Sequence, residues 1–176
     1  PVNPAFFREG LPAFPGRVAK SVADAVKEFG GPIRSVVAAV PGFQSMLQVL
    51  ELPKARGLDP REVIPREAAR AMGTPLERSV LRWHRLPDWQ DRTRWLVVAA
   101  PRRSVDMLLE TAHQAGLAVH ALELRPFALA RAVNVPDAIV AWLGTDGADV
   151  VLVRHTAPVA YLSVAWGAEV TEGAVL

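Results

Sequence analysis

The chain has 176 residues, 51% of them hydrophobic and 22% charged, with a formal net charge of +2. That length suits one ordinary domain or two small lobes, and the composition is that of a folded protein, which excludes disorder. There is no cysteine, which excludes a disulfide framework and a thiolate metal site and fits a reducing compartment.

No apolar run approaches the ~20 residues needed to span a bilayer. The longest, at 95–101 and 138–144, are strand-sized. Pro1-Val2-Asn3-Pro4 has neither an initiator Met nor the layout of a signal peptide. It reads as a cut end, so the chain is expected to be a fragment of a longer protein. The densest basic stretch (Arg78, Arg82, Arg85, Arg92, Arg94, Arg102 and Arg103) interleaves with Trp83, Trp89 and Trp95, superficially a stacking platform for nucleic acid. Strand alternation explains it better: Val80, Arg82 and His84 fall on one face, Leu81, Trp83 and Arg85 on the other. A solvated strand face is expected, and no nucleic acid.

In chain order, the first fifteen residues are rich in Pro and Gly and read as an extended lead-in. Residues 17–29 carry Val18, Val22, Ala25, Val26 and Phe29 at helical spacing, with Gly30-Gly31 as the stop. The β-branched run 35–40 is a buried strand ended by Pro41-Gly42, and 46–52 alternates as a second strand. Asp59-Pro60-Arg61-Glu62 is a helix start, with an acid at the cap and Pro at the first helical position. Pro65 predicts a kink or a restart before the helix runs on to Gly73. Strands are expected at 78–86 and 94–100, separated by a polar loop at 87–92. Ser104 is expected to cap a helix reaching Ala115, with Gly116 as its stop. A strand at 117–124, a helix at 126–133 and strands at 138–143, 149–153 and 159–165 complete the order. The mixture predicts α/β or α+β layering.

Few residues carry chemistry. His84, His113, His120 and His155 fall on four different elements, without the close pairing of a zinc site. Ser45, Ser104 and Ser163 lack a G-x-S-x-G setting, and no Walker or dinucleotide fingerprint occurs. The one glycine turn worth weighing is Leu143-Gly144-Thr145-Asp146-Gly147-Ala148. Outward backbone N–H groups there could cradle a phosphate, or Asp-Gly could simply close a hairpin.

Three blocks, taken in order, resemble the PilM family of type IV pilus assembly. Val36-Val37-Ala38-Ala39-Val40-Pro41-Gly42 is followed by Val49-Leu50-Glu51-Leu52-Pro53. Arg66-Glu67-Ala68 leads to Thr74-Pro75-Leu76-Glu77. Val97-Val98-Ala99-Ala100 runs through Ala115-Gly116-Leu117 to Leu124-Arg125-Pro126-Phe127-Ala128-Leu129-Ala130-Arg131. The set covers residues 16–167.

The resemblance implies an actin-like (ribonuclease H-like) fold shared with the division protein FtsA. It implies an incomplete first lobe at 1–41 and 102–135, an inserted β-α-β-β subdomain at 42–101, and the first strands of a truncated second lobe at 136–176. It further implies a bacterial cytoplasmic scaffold at the inner face of the inner membrane, clasping the cytoplasmic tail of a PilN-like partner, with self-association open. Pro41, Phe43, Arg66, Arg70, Arg125 and Phe127 are the implied groove residues. Gly144, Thr145 and Asp146 would form a degenerate phosphate loop. Where relatives carry Asp-Ile-Gly with a Thr four residues on, this chain has Trp142-Leu143-Gly144 and Ala148. An indole supplies no anionic acceptor for a hydrated Mg²⁺. No catalytic residue, metal or cofactor is therefore expected, ATP and Mg²⁺ being left to full-length relatives. The alternatives are an actin-like ATPase and an FtsA-type division adaptor. Pro65 and Gly73 mark the chain as divergent.

Overall fold

The computed structural model describes residues 4–8, 11–54, 57, 59–144 and 147–166. It opens on a short antiparallel hairpin, β1 (Phe7–Arg8) and β2 (Leu11–Pro12), where the sequence predicts only extended chain. Aromatic contacts account for it. Phe6 and Phe14 meet edge to face at 6.5 Å between centroids, and the Arg17 guanidinium lies 5.3 and 5.5 Å from the two rings.

Helix α1 (Pro15–Phe29) buries Val18 and Ala19 and leads into β3 (Ser35–Val40). A 3₁₀ turn at Gly42–Gln44 precedes β4 (Met46–Pro53). Helix α2 (Pro60–Met72) starts as the sequence predicts, the Asp59 carboxylate accepting from the Arg61 N–H at 2.8 Å. It does not restart at Pro65. One missing i→i−4 bond is absorbed because Ile64 and Ala68, on either side of the proline, are fully buried in the adjoining core.

Strands β5 (Ser79–Trp89) and β6 (Arg92–Pro101) are longer than predicted, and the expected loop at 87–92 shrinks to a turn at Gln90 and Asp91. Pro87 lies where the β5–β6 register shifts, on an edge strand, so its missing N–H breaks no ladder bond. Helix α3 (Arg102–Gln114) begins directly after Pro101, and Ser104 is not its cap. The Ser104 hydroxyl instead donates to the Gln44 side-chain carbonyl at 2.9 Å, a contact sixty positions away that no local pattern reveals. Then follow β7 (Ala118–Leu124), α4 (Arg125–Val133), β8 (Asp137–Leu143), β9 (Gly147–Arg154) and β10 (Ala157–Ala165).

Besides the lead-in hairpin, the described strands form three sheets. β3 and β7 pair in parallel, the long crossover between them holding both α3 and the antiparallel sheet β4–β6–β5. β10–β9–β8 is antiparallel, with β9 in the middle. The fold is α/β. Three apolar clusters hold it: Leu50, Ile64, Ala68 and Val97 between α2 and the middle sheet; Ala130, Val151 and Val153 between α4 and β9; and Val40, Ala100, Val105 and Leu124 where β3, β6, α3 and β7 converge. Fully burying each Val, Leu or Ile side chain contributes about 1.5–3 kcal/mol, and each alanine methyl less.

Candidate functional site

Two places concentrate polar and aromatic side chains. The first is the junction where the 3₁₀ turn and the start of α4 meet β8, β9 and β10. Asp149, in the middle of an apolar strand, is fully buried. Its two carboxylate oxygens are taken up separately: the Arg125 Nε–H donates to Oδ2 and the Ser163 hydroxyl to Oδ1. The same guanidinium stacks 3.7 Å from the Trp142 ring centroid and 5.7 Å from that of Phe43. A desolvated cation–π contact of this kind adds about 2 kcal/mol to the ion pair.

Close approach to this network explains Gly42. A Cβ there would fall onto the Ser163 hydroxyl and within 2.8 Å of the Asp149 carboxylate. Gly144 is confined in the same way, because a Cβ would overlap the indole of Trp142. The Gly144 N–H donates to the Gly147 carbonyl at 2.9 Å, and its own carbonyl accepts from the Trp166 indole N–H at 2.9 Å. Both backbone groups of Gly144 are thus committed inside the protein. Thr145 and Asp146 lie outside the described residues.

The second place is a cleft of about 1030 Å³ between the β3–β7 side of the molecule and the β4–β6–β5 sheet. Val80, Arg82, Val98 and Ala100 form the wall on the sheet side, and α3 adds Val105, Asp106 and Leu109. Opposite them stand β7 residues together with Phe127 and Arg131 of α4. Arg131 is paired with Glu123 at 2.7 Å, whereas Arg82 and Arg102 line the cleft without an ion pair among the described residues, Arg82 Nη1 donating to the Leu81 carbonyl at 2.8 Å. Phe127 also meets Tyr161 edge to face at 6.1 Å, so the cleft wall leans on the last sheet. Burial raises the Tyr161 phenol above its ordinary pKa, opposed in part by a hydrogen bond with Ser45.

With this geometry established, the chain can be set beside known structures. The chain in a PilM–PilN type IV pilus biogenesis complex aligns with a TM-score of 0.76 and 28% identity, over 94% of this chain. The chain is PilM-like. PilM has the actin-like fold, and the α/β architecture described above is of that type. The alignment covers 52% of the PilM structure, so this chain spans about half its length. The cytoplasmic domain of EpsL, an inner-membrane component of the type II secretion system of Vibrio cholerae, aligns with a TM-score of 0.59 and 15% identity. That alignment covers 82% of this chain and 56% of EpsL, and shows a shared fold. No protein-family model and no curated protein sequence matches the chain.

Of the groove residues implied by the PilM resemblance, only Phe127 lines the cleft. Pro41 is buried, and Phe43 and Arg125 belong to the junction. Arg66 and Arg70 stand apart from both places, their side chains 76% and 86% exposed on α2 beside Glu67. Sequence reasoning missed Asp149 and Ser163. The signal for the first was an acid within Ala148-Asp149-Val150-Val151, a setting in which a charge survives only with a partner.

Proposed function

We propose that this chain is part of a non-catalytic adaptor in type IV pilus assembly, and that its cleft holds the short cytoplasmic tail of a PilN-like inner-membrane protein. The observation that carries the reading is the apolar cleft itself, on a chain 28% identical to the PilM of a complex with PilN. Val80, Val98, Val105, Leu109 and Phe127 offer apolar area to an extended segment, while Arg82 and Arg102 offer hydrogen-bond donors. Two or three Leu-sized side chains gain roughly 1.5–3 kcal/mol each on burial, so the ordering cost of a flexible tail leaves micromolar affinity. No described helix is long and apolar enough to cross a membrane. Attachment to the inner face of the membrane would come through the partner.

The adaptor is proposed to work without nucleotide. Trp142 covers Gly144, and the Gly144 backbone groups are already engaged, which leaves little for a phosphate to bind. The test is a fluorescence titration with synthetic cytoplasmic tails of membrane proteins encoded beside this chain. One tail should bind at micromolar concentration, and Leu109→Asp should weaken it at least tenfold. Failure of every tail would overturn the adaptor reading, and saturable, Mg²⁺-dependent ATP binding by calorimetry would overturn the nucleotide-free one.

A further inference from the structure

The two faces of the β4–β6–β5 sheet meet different surroundings. Residues directly opposite each other in an antiparallel pair share a face. Trp83 and Trp95 pack with α2 on one. The register puts Trp89 opposite Arg92, Leu86 opposite Arg94 and His84 opposite Leu96 on the other. That face runs inward to Arg82 and Val98 of the cleft wall. Its outer half, toward the β5–β6 turn, is uncovered: Trp89 is 59% exposed, His84 and Arg92 are exposed, and Leu86 and Leu96 are only half-buried. Glu51 is the only acid among the paired residues of this face, 3.5 Å from the Arg94 Nε. Charge over the whole chain divides in the same sense. Residues 42–103 carry twelve Lys and Arg against seven Asp and Glu, and the remaining residues eight against eleven. A molecule polarised in this way turns its basic side toward an anionic surface.

We propose that this outer face docks directly on an anionic lipid surface. The guanidinium groups of Arg92 and Arg94 meet lipid phosphates, and the Trp89 indole settles at the headgroup level. A planar guanidinium matches phosphate geometry, and an indole, apolar in body with one polar N–H, suits the membrane–water interface. Arg85 and Lys54, beside the same turn, are each tied to Asp88 at 3.2 Å and add little. A single-stranded nucleic acid would need successive aromatic rings to stack on, and Trp83 and Trp95 are turned to the α2 side. Protein hot spots sit near the centre of a patch, whereas the exposed aromatic here stands at the rim of the sheet, where a bilayer can reach it. This contact is separate from tail binding and would add to it.

The test mixes the whole chain with vesicles of phosphatidylcholine, with or without one-third phosphatidylglycerol, and follows co-sedimentation. Binding is expected to the anionic vesicles alone, and to fade as salt is raised. Arg92→Glu should weaken it about tenfold and Trp89→Ala about threefold, with thermal unfolding and tail binding unchanged. Brominated lipid should quench the fluorescence of wild type more than that of Trp89→Phe. Equal binding to neutral vesicles, no binding, or full binding by both variants would overturn the docking face and leave the cleft reading standing. Salt-sensitive self-association without vesicle binding would overturn it too, and assign the basic face to the acidic remainder of a second copy. Failure of every tail to bind, with vesicle binding as expected, would sink the cleft reading alone.

Discussion

The junction and the cleft lie on either side of Phe127, and both are built from arginine and aromatic side chains, yet they end in opposite states. In the junction the Arg125 Nε–H meets a buried carboxylate and the guanidinium carbon lies over two aromatic rings, which leaves only its buried Nη2 without a hydrogen-bond partner among the described residues of that network. In the cleft Arg82 and Arg102 face aliphatic walls and the open edge of a strand. Residue type alone does not make a binding site. What distinguishes the two is whether the fold supplies a carboxylate, and among the described residues it supplies none to Arg82 or Arg102 in the cleft.

The largest test of this contrast is Arg125→Ala. It strands Asp149 as a buried, half-satisfied charge, and should cost about 3–5 kcal/mol in urea unfolding. Replacing both partners, Arg125→Met with Asp149→Leu, should recover most of that loss. If the double variant is as unstable as the single, the pair is not the unit described here. Gly42→Ala comes next: its methyl must displace Ser163 or Asp149, and about 1–3 kcal/mol of overpacking is expected.

The cleft should answer differently. Leu109→Asp, at a residue 39% exposed, should change stability by no more than about 0.5 kcal/mol while weakening tail binding at least tenfold. Arg66→Ala with Arg70→Ala should leave tail affinity unchanged within about twofold and stability within about 0.5 kcal/mol, since both side chains are solvated away from the cleft. A tenfold loss of affinity there would redraw its boundary.

The smallest effect belongs to Asp88. Hydrogen bonds from Arg85 and then Lys54 hold its carboxyl below the ordinary value of 3.8. A lowered folded-state value means the stabilising contribution is present above that ordinary value and fades as pH falls through the lowered one. Comparing wild type with Asp88→Asn across that acid range should show a slight difference at neutral pH that closes on acidification, because its ion pairs with Arg85 and Lys54 lie at the surface and are screened by solvent.

The sequence exposed what depends on near neighbours. The 35–40 strand ends where its β-branched run meets Pro41, and the Asp59-Pro60 start of α2 follows from cap chemistry two residues long. Long-range pairing was not legible. Ser104 has the composition of a cap, but its hydroxyl is claimed by Gln44 from another part of the chain. Pro87 looks like a loop residue and becomes a strand residue only because β5 lies at an edge. The resemblance set Arg125 and Phe127 in one groove wall two residues apart, but the start of α4 turns them to different sides. Trp142 was visible as a departure from the family pattern; its stacking partner was not, because that partner lies seventeen positions upstream.

The buried pair also restricts how this lineage can drift. A population carrying a neutral residue at Arg125 while keeping Asp149 would fold poorly, and the reverse loss would leave a guanidinium pressed between aromatic rings without its anion. The two positions should therefore change together. Across homologous chains Arg125, Asp149 and Trp142 should be gained or lost as a set, whereas Arg82 and Arg102 should vary with the tail of the partner encoded beside each chain.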